Sequence, residues 1–334
     1  MMSSNRLVLE RTDPADLQPE ARLAGLRVAV LIPCYNEAAA IAQVIAGFRQ
    51  ALPQARILVF DNNSTDDTVA IAAKAGAETR HVLRQGKGNV VRRMFADIEA
   101  DIYLLVDGDA TYDAASAPKL IEKLLSDGLD MVVGARKDMA VEAYRPGHRF
   151  GNRVLTEFVA RVFGRAFNDI LSGYRVFSRR FVKSFPAVSI GFEIETELTI
   201  HALELRMPIA EVETPYYARP VGSASKLNTW CDGARILRMI LRLYQLQRPL
   251  AFFSTIAAGL AAVAILLAIP VLITFIETGL VPRLPTAVLS TGLMLLASLS
   301  LTCGLILDNV TRGRQEMKRL FYLGIEGIRR EPKG

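Results

Sequence analysis

Leu104-Leu105-Val106-Asp107-Gly108-Asp109 decides the reading of this chain. An apolar run of strand character ends in two aspartates separated by a glycine. A hydrophobic core has no use for two carboxylates at the exit of a strand. A divalent cation gripping a diphosphate has. Open α/β sheets place their ligands at strand C-terminal tips, and paired carboxylates suit hard cations such as Mg2+ or Mn2+. Taken alone, Asp-Gly also marks an ordinary turn, so the pair draws its meaning from its neighbours.

Those neighbours repeat the pattern. Upstream, short apolar runs alternate with amphipathic stretches. Strands are expected at 27–32, 56–60, 102–106 and 131–134, with a weaker one at 78–82. Helices are expected at 38–51, 66–75, 88–98 and 115–126. This alternation predicts a largely parallel, doubly wound α/β sheet with helices on both faces. The first strand ends in Leu31-Ile32-Pro33-Cys34-Tyr35-Asn36-Glu37. The second ends in Val59-Phe60-Asp61-Asn62-Asn63-Ser64-Thr65-Asp66-Asp67-Thr68. Polar loops at three strand tips of one sheet form a single crevice with Asp107 and Asp109. Asp66 fits the cap of the next helix. Asp61 stands at the strand tip itself, where a carboxylate can accept hydrogen bonds from a base or ribose.

The 334 residues are 51% hydrophobic, somewhat more than a soluble protein needs, and the excess lies after Pro249. Residues 250–276 and 286–307 carry no charge. As helices they measure roughly 40 Å and 33 Å, beyond the ~20 residues that span a bilayer. Pro270 is a kink of the kind membrane helices tolerate. Arg235, Arg238, Arg242 and Arg248 precede the pair, and Arg312, Arg314, Lys318 and Arg319 follow it. Only Glu277 and Arg283 lie between. The positive-inside rule therefore places both ends and the α/β domain in the cytoplasm. Apolar residues recur at helical spacing among the flanking arginines (Ile236, Leu237, Ile240, Leu241, Tyr244; then Met317, Leu320, Phe321, Ile325), as in helices lying in the membrane interface.

The expected organisation is a tail (1–25), an α/β domain (26–229), an amphipathic juxtamembrane helix (230–249), a two-helix membrane hairpin (250–308) and a basic amphipathic segment (309–334). The formal charge of +6 accords with an anionic membrane surface. The aromatic-plus-basic stripes of a nucleic-acid surface are absent, so no nucleic-acid partner is expected. Cys34, Cys231 and Cys303 are too scattered for zinc or a disulfide framework. The polar start of the chain lacks the apolar core of a signal peptide.

Taken in order, Ile32-Pro33-Cys34-Tyr35-Asn36-Glu37, Asp61-Asn62-Asn63-Ser64-Thr65-Asp66 and Asp107-Gly108-Asp109 resemble the nucleotide-sugar-binding half of a family 2 glycosyltransferase with a GT-A fold. Further stretches resemble the polyprenyl-phosphate glycosyltransferase group, which includes dolichyl-phosphate mannose synthases and bacterial polyprenyl-phosphate glucosyltransferases. They are Gln85-Gly86-Lys87-Gly88-Asn89, Asn168-Asp169-Ile170-Leu171-Ser172-Gly173-Tyr174-Arg175, Phe192-Glu193-Ile194-Glu195 and Arg219-Pro220-Val221-Gly222-Ser223-Ala224-Ser225-Lys226. The resemblance covers about residues 27–226.

It implies a nucleotide diphosphate sugar as donor, UDP-linked in preference to GDP-linked, bound by Pro33, Tyr35, Glu37, Asp61, Asn63, Lys87 and Asp107. It implies Mg2+ or Mn2+ on Asp107 and Asp109, and inversion by direct attack. The implied acceptor is a polyprenyl phosphate of undecaprenyl or dolichyl type, its phosphate held by Arg219 and Lys226. A phosphate monoester loses its second proton near pH 6, so it needs less help from a base than a hydroxyl does. Asp169 is the expected catalytic group beside the nucleophile. Transfer to a glycolipid hydroxyl, and a non-catalytic scaffold, are the competing readings. Homo-oligomers are expected of such hairpin anchors. The sequence departs from the mannose synthases at Thr111, where they usually carry Gln, which leaves the third metal ligand open. The Arg-Gly-Ser-Lys stretch is one residue longer. No Gln-x-x-Arg-Trp motif is present, against a processive synthase. The roles of Glu193 and Glu195 stay undivided.

Overall fold

The computed structural model describes residues 25–138, 157, 169–187, 191, 193–220, 242 and 244–328. Lys226, Asn168, Phe192, the tail and most of the expected juxtamembrane helix lie outside them. The chain forms two compact units, one of residues 1–226 with 325–334 and one of residues 227–324.

The first unit is built on a seven-stranded sheet. β1 (Val28–Cys34), β2 (Arg56–Asp61), β3 (Glu78–His81) and β4 (Ile102–Leu105) are followed by β5 (Met131–Asp138), β6 (Arg175–Ser178) and β7 (Ile209–Tyr216). Their spatial order is β3-β2-β1-β4-β6-β5-β7. All neighbouring pairs are parallel except those of β6, which runs against β4 and β5. The largely parallel sheet expected from the alternation is therefore present, with one reversed strand inserted.

The helices are α1 (Ile41–Ala51), α2 (Thr68–Lys74), α3 (Lys87–Asp97), α4 (Ala117–Asp127), α5 (Arg179–Ser184) and α6 (Ile194–Glu204). β1, β2 and β4 are near-continuous apolar runs because helices cover both faces of the sheet. Their side chains are almost wholly buried. β3, reading Glu-Thr-Arg-His, is a polar edge strand. From α1, Ile41, Val44, Ile45 and Phe48 face the core at helical spacing; α4 does the same with Leu120, Ile121 and Leu124 and ends at Gly128 in the left-handed conformation, as helix C-termini often do. Ile328, from the end of the chain, also packs on this core, and Arg180 Nε donates to the Ile325 carbonyl at 3.0 Å.

The second unit contains α7 (Pro249–Thr278) and α8 (Leu284–Leu323), of 30 and 40 residues, each long and apolar enough to cross a membrane. α8 continues as one helix well past Leu307, where the uncharged run ends. The buried residues of α8 are Ser290, Ala297, Gly304 and Thr311, one every seven positions. That is the spacing of a seam between two supercoiled helices, and small residues let apolar helices approach closely where no hydrophobic force separates lipid from protein. At Gly304 a Cβ would lie 3.0 Å from that of Phe253. Ser290 Oγ donates to the Ala264 carbonyl at 2.9 Å and Ser300 Oγ to that of Phe253 at 3.1 Å.

Candidate active site

The register of β1 with β2 and β4 brings their polar tips side by side. Cys34 pairs with Asp61 and Leu31 with Leu105, so the loops beginning at Tyr35, Asn62 and Val106 open on one edge. Three non-glycine residues there adopt left-handed backbone: Asn36 (φ 53°), Asn63 (φ 66°) and Ala110 (φ 57°). Asparagine tolerates this conformation and alanine does so at a cost. The turn after Asp109 is thus held by its surroundings.

Side chains knit the loops together. Thr65 N donates to Asn36 Oδ1 at 2.7 Å and Asn36 N to Ser64 Oγ at 2.9 Å. Glu37 N donates to Thr68 Oγ1 at 2.9 Å. Asp66 accepts from Thr68 N at 3.1 Å and from Ala38 N at 3.2 Å. The N-cap of α2 is Asp67, not the expected Asp66; Asp66, one residue earlier, ties the first two loops together. Asn62 bridges to the third strand's exit, donating to the Val82 and Arg84 carbonyls and accepting from Gly86 N at 2.6 Å. Gly86 has φ 124°, open only to glycine, and this turn launches α3 with Lys87 at its first position. Asn63 Nδ2 donates to the Leu83 carbonyl at 3.0 Å. Asp61 is buried; it accepts from Ser64 N and lies 3.1 Å from His81 Nδ1.

At the centre, Lys87 Nζ stands 2.5 Å from Asp107 Oδ1 and 2.5 Å from Glu195 Oε1. Burial opposes the lysine's charge, but the two carboxylates overcome it and hold its pKa above the ordinary value. This divides the two glutamates. Glu195 joins the site through Lys87, whereas Glu193 N-caps α6 by position and lies against Gly191. Asp107 also abuts Gly173, where a Cβ would stand 2.5 Å from Oδ2. Any side chain at that position would push the Asp107 carboxylate aside.

Asp109 is buried. Thr111 Oγ1 donates to its Oδ1 at 2.6 Å, and Arg219 pairs with its Oδ2 at 2.7 Å. Burial, and then the charge of Asp107, push its carboxyl up, against the pull of Arg219 and Thr111. Thr111, at the position left open as a third ligand, orients Asp109. Two carboxylates so placed are hard oxygen donors of the kind that fit a divalent cation. Among the described residues no group of three His, Cys, Asp or Glu is placed to hold a metal.

Asp169 meets the end of β5. Arg136 grips it from Nε and Nη2, both at 2.7 Å, in the bidentate geometry that makes such pairs strong. Asp169 N donates to Glu211 Oε1 at 2.8 Å. The Arg136 guanidinium also sits 5.6 Å from the centre of the Tyr216 ring. Arg136 escaped the sequence reading because β5 was expected to stop at 134. Its continuation to Asp138 as the partner of β7 carries Arg136 to the strand tip. Tyr112 was also missed; its hydroxyl accepts from Gly173 N at 2.8 Å and its ring packs on Tyr174 and Tyr216.

Arg175 of the Ser-Gly-Tyr-Arg stretch is wholly buried. It donates to the Ser172 and Ile170 carbonyls and to Thr199 Oγ1 on α6. Burial lowers its pKa to about 10, opposed by Glu195 and Asp169. It locks the loop bearing Asp169 and Gly173 onto α6, so its role is in the frame of the site.

The profile of Glycosyl transferase family 2 matches residues 29–185. Glycosyltransferase AglJ of Haloferax volcanii is 35% identical over 88% of this chain and 97% of its own length. The dolichyl-phosphate hexose transferase of the same organism is 28% identical over 64% of this chain and 92% of its own. Among solved structures, Mycobacterium tuberculosis glucosyl-3-phosphoglycerate synthase in complex with Mn2+, uridine diphosphate and glucosyl-3-phosphoglycerate aligns with a TM-score of 0.55 and 26% identity, over 68% of this chain and 82% of that one. Sheet order, strand-tip crevice and these matches together define a glycosyltransferase with a GT-A fold. The chain belongs to glycosyltransferase family 2.

Proposed function

We propose that the protein transfers a sugar, with inversion, from a nucleotide diphosphate sugar to a polyprenyl phosphate at the cytoplasmic face of a membrane. The observation that carries this reading is the charge arrangement at the strand tips. Two aspartates, Asp107 and Asp109, share the crevice with two cations, Lys87 and Arg219, in a chain that also bears two helices able to cross a bilayer. Both substrates would be phosphates, and both ends of the reaction need cations.

Asp61 and Asn63, with Pro33, Tyr35 and Glu37 on the neighbouring tip, would hold the nucleoside. Asp107 and Asp109 would hold Mg2+ or Mn2+, which neutralises charge on the departing diphosphate. Arg219, with Lys226, would receive the acceptor phosphate. Arg136 adds a second guanidinium, held in place by Asp169. Both oxygens of Asp169 are engaged by Arg136, an arrangement suited to orienting an acceptor that is already anionic. Similarity to the dolichyl-phosphate hexose transferase supports the acceptor, and the UDP complex of the mycobacterial synthase supports a UDP-linked donor.

The test is to supply the purified full chain, in detergent or nanodiscs, with polyprenyl phosphate, Mn2+ and radiolabelled UDP- and GDP-sugars. A metal-dependent labelled lipid is expected. Absence of labelled lipid with every donor, or label appearing only on a glycolipid hydroxyl, would overturn the proposal.

A further inference from the structure

Each aspartate of the Asp107-Gly108-Asp109 pair already has a cation of its own, and the two cations are held differently. Lys87 is enclosed. Its side chain is 10% exposed, and it is pinned by a second carboxylate, Glu195, on α6. It takes only Oδ1 of Asp107. Arg219 is 31% exposed and lies beyond the end of β7. It takes Oδ2 of Asp109, while Oδ1 accepts both the amide and the hydroxyl of Thr111. Oδ1 of Asp109 is therefore committed to Thr111, and the oxygen left for a metal, Oδ2, is the one that Arg219 pairs with.

We infer that Arg219 is a displaceable occupant of the cation site: guanidinium and divalent ion compete for Asp109, and loading of the metal hands Arg219 over to phosphate. This rests on Asp107 and Asp109 being the metal ligands. The physical reason is charge. A guanidinium 2.7 Å from Asp109 repels a divalent ion approaching the same oxygen. A metal that arrives with a diphosphate brings anionic oxygens to which the guanidinium can turn, with the bidentate fit that arginine has for phosphate. Lys87 does not take part in the exchange, because leaving would strand Glu195 as a buried, unpaired charge. The site thus binds metal weakly by itself and strongly together with its diphosphate. This keeps Arg219 parked on Asp109 until a donor is present, and frees it toward phosphate, the donor's diphosphate first and the acceptor phosphate after it.

The experiment measures binding of Mn2+ alone, by the loss of the free-ion paramagnetic resonance signal, to the full-length protein and to Arg219→Ala, Arg219→Gln and Asp109→Asn. Removing the competitor is expected to tighten binding of Mn2+ alone roughly tenfold, the size of a coupling between contacting charged groups. Arg219→Gln, close in shape and neutral, should do the same, and guards against a misfolded alanine variant. Addition of UDP should then favour wild type over both variants. Unchanged or weaker binding of Mn2+ alone in both Arg219 variants, with Asp109→Asn abolishing it, would overturn the exchange and leave the metal site standing. Mn2+ binding that Asp109→Asn does not affect would instead remove the metal site itself. Absence of Mn2+ binding from wild type and both Arg219 variants alike also overturns the exchange.

Discussion

At the N-terminal ends of β1 and β4, Arg27 pairs with Asp101 at 2.8 Å, and nearby Glu99 takes Lys183 at 2.7 Å. At the C-terminal ends of the same sheet, Lys87 pairs with Asp107 and Glu195, and Arg219 with Asp109. The residue types and distances are alike, but the surroundings differ. Arg27 is 60% exposed and Glu99 53%; such pairs exchange one hydrated state for another and contribute little. Lys87 and Glu195 are 10% and 6% exposed. Charges withdrawn from water that far are seldom net stabilising against apolar replacements of the same shape. A fold that keeps several of them at its strand tips, and leaves the opposite edge with wet surface pairs, has placed the expense at the proposed site.

The sharpest way to break this comparison is to neutralise the aspartates. Asp109→Asn should reduce turnover on the order of 10³-fold, the scale of a lost metal's charge stabilisation. The unfolding temperature of the ligand-free protein should hold or rise, because repulsion with Asp107 is relieved. A drop in stability with activity intact would show that Asp109 is structural. Next in size is Lys87→Met, which leaves Asp107 and Glu195 uncompensated. It should lower stability by about 3–5 kcal/mol, read from chemical denaturation in detergent. Gly173→Ala should follow, since its methyl would overlap Asp107 Oδ2; weakened Mn2+ binding with UDP present, at nearly unchanged stability, is the expected outcome.

Acid should separate the two ends in opposite directions. Hydrogen bonds from Arg27 hold the Asp101 carboxyl below its ordinary value. Its contribution to stability is present at neutral pH and is lost only as pH falls below the usual carboxylate range. Asp109 is pushed up by burial and by Asp107. Its stabilising form is the protonated one, lost as pH rises through the raised value. Mild acid should therefore weaken Mn2+ binding while the unfolding midpoint stays level. Simultaneous loss of both would erase the distinction. The smallest expected effect is Glu99→Gln, under about 1 kcal/mol with unchanged turnover.

Much of this was legible in the chain. β1, β2 and β4 are apolar enough to be read as doubly covered strands, and each stops at a polar cluster. Tips of parallel strands converge, so Asp61, Asp107 and Asp109 could be placed together from spacing alone. Other parts were hidden. β6 is only Arg175–Ser178, and it reverses direction between two parallel neighbours. Four residues carry no sign of orientation. Arg136 looked like a loop residue because β5 turns polar at its end, where pairing with β7 rather than burial keeps it a strand. Lys87 was visible as a cation in a glycine-rich turn, but its second partner, Glu195, is more than a hundred residues away.

The sequence by itself determined the class of sheet, the apolar helical pair and the carboxylates at the crevice, because periodicity, uncharged length and strand endings are local properties. Tertiary structure alone decided which cation sits on which carboxylate. Thr111 serves Asp109, Arg219 covers it, Asp169 holds Arg136, and Glu195 rather than Glu193 reaches Lys87. Pairing of charges depends on distance and on withdrawal from water, and both exist only once remote segments have packed.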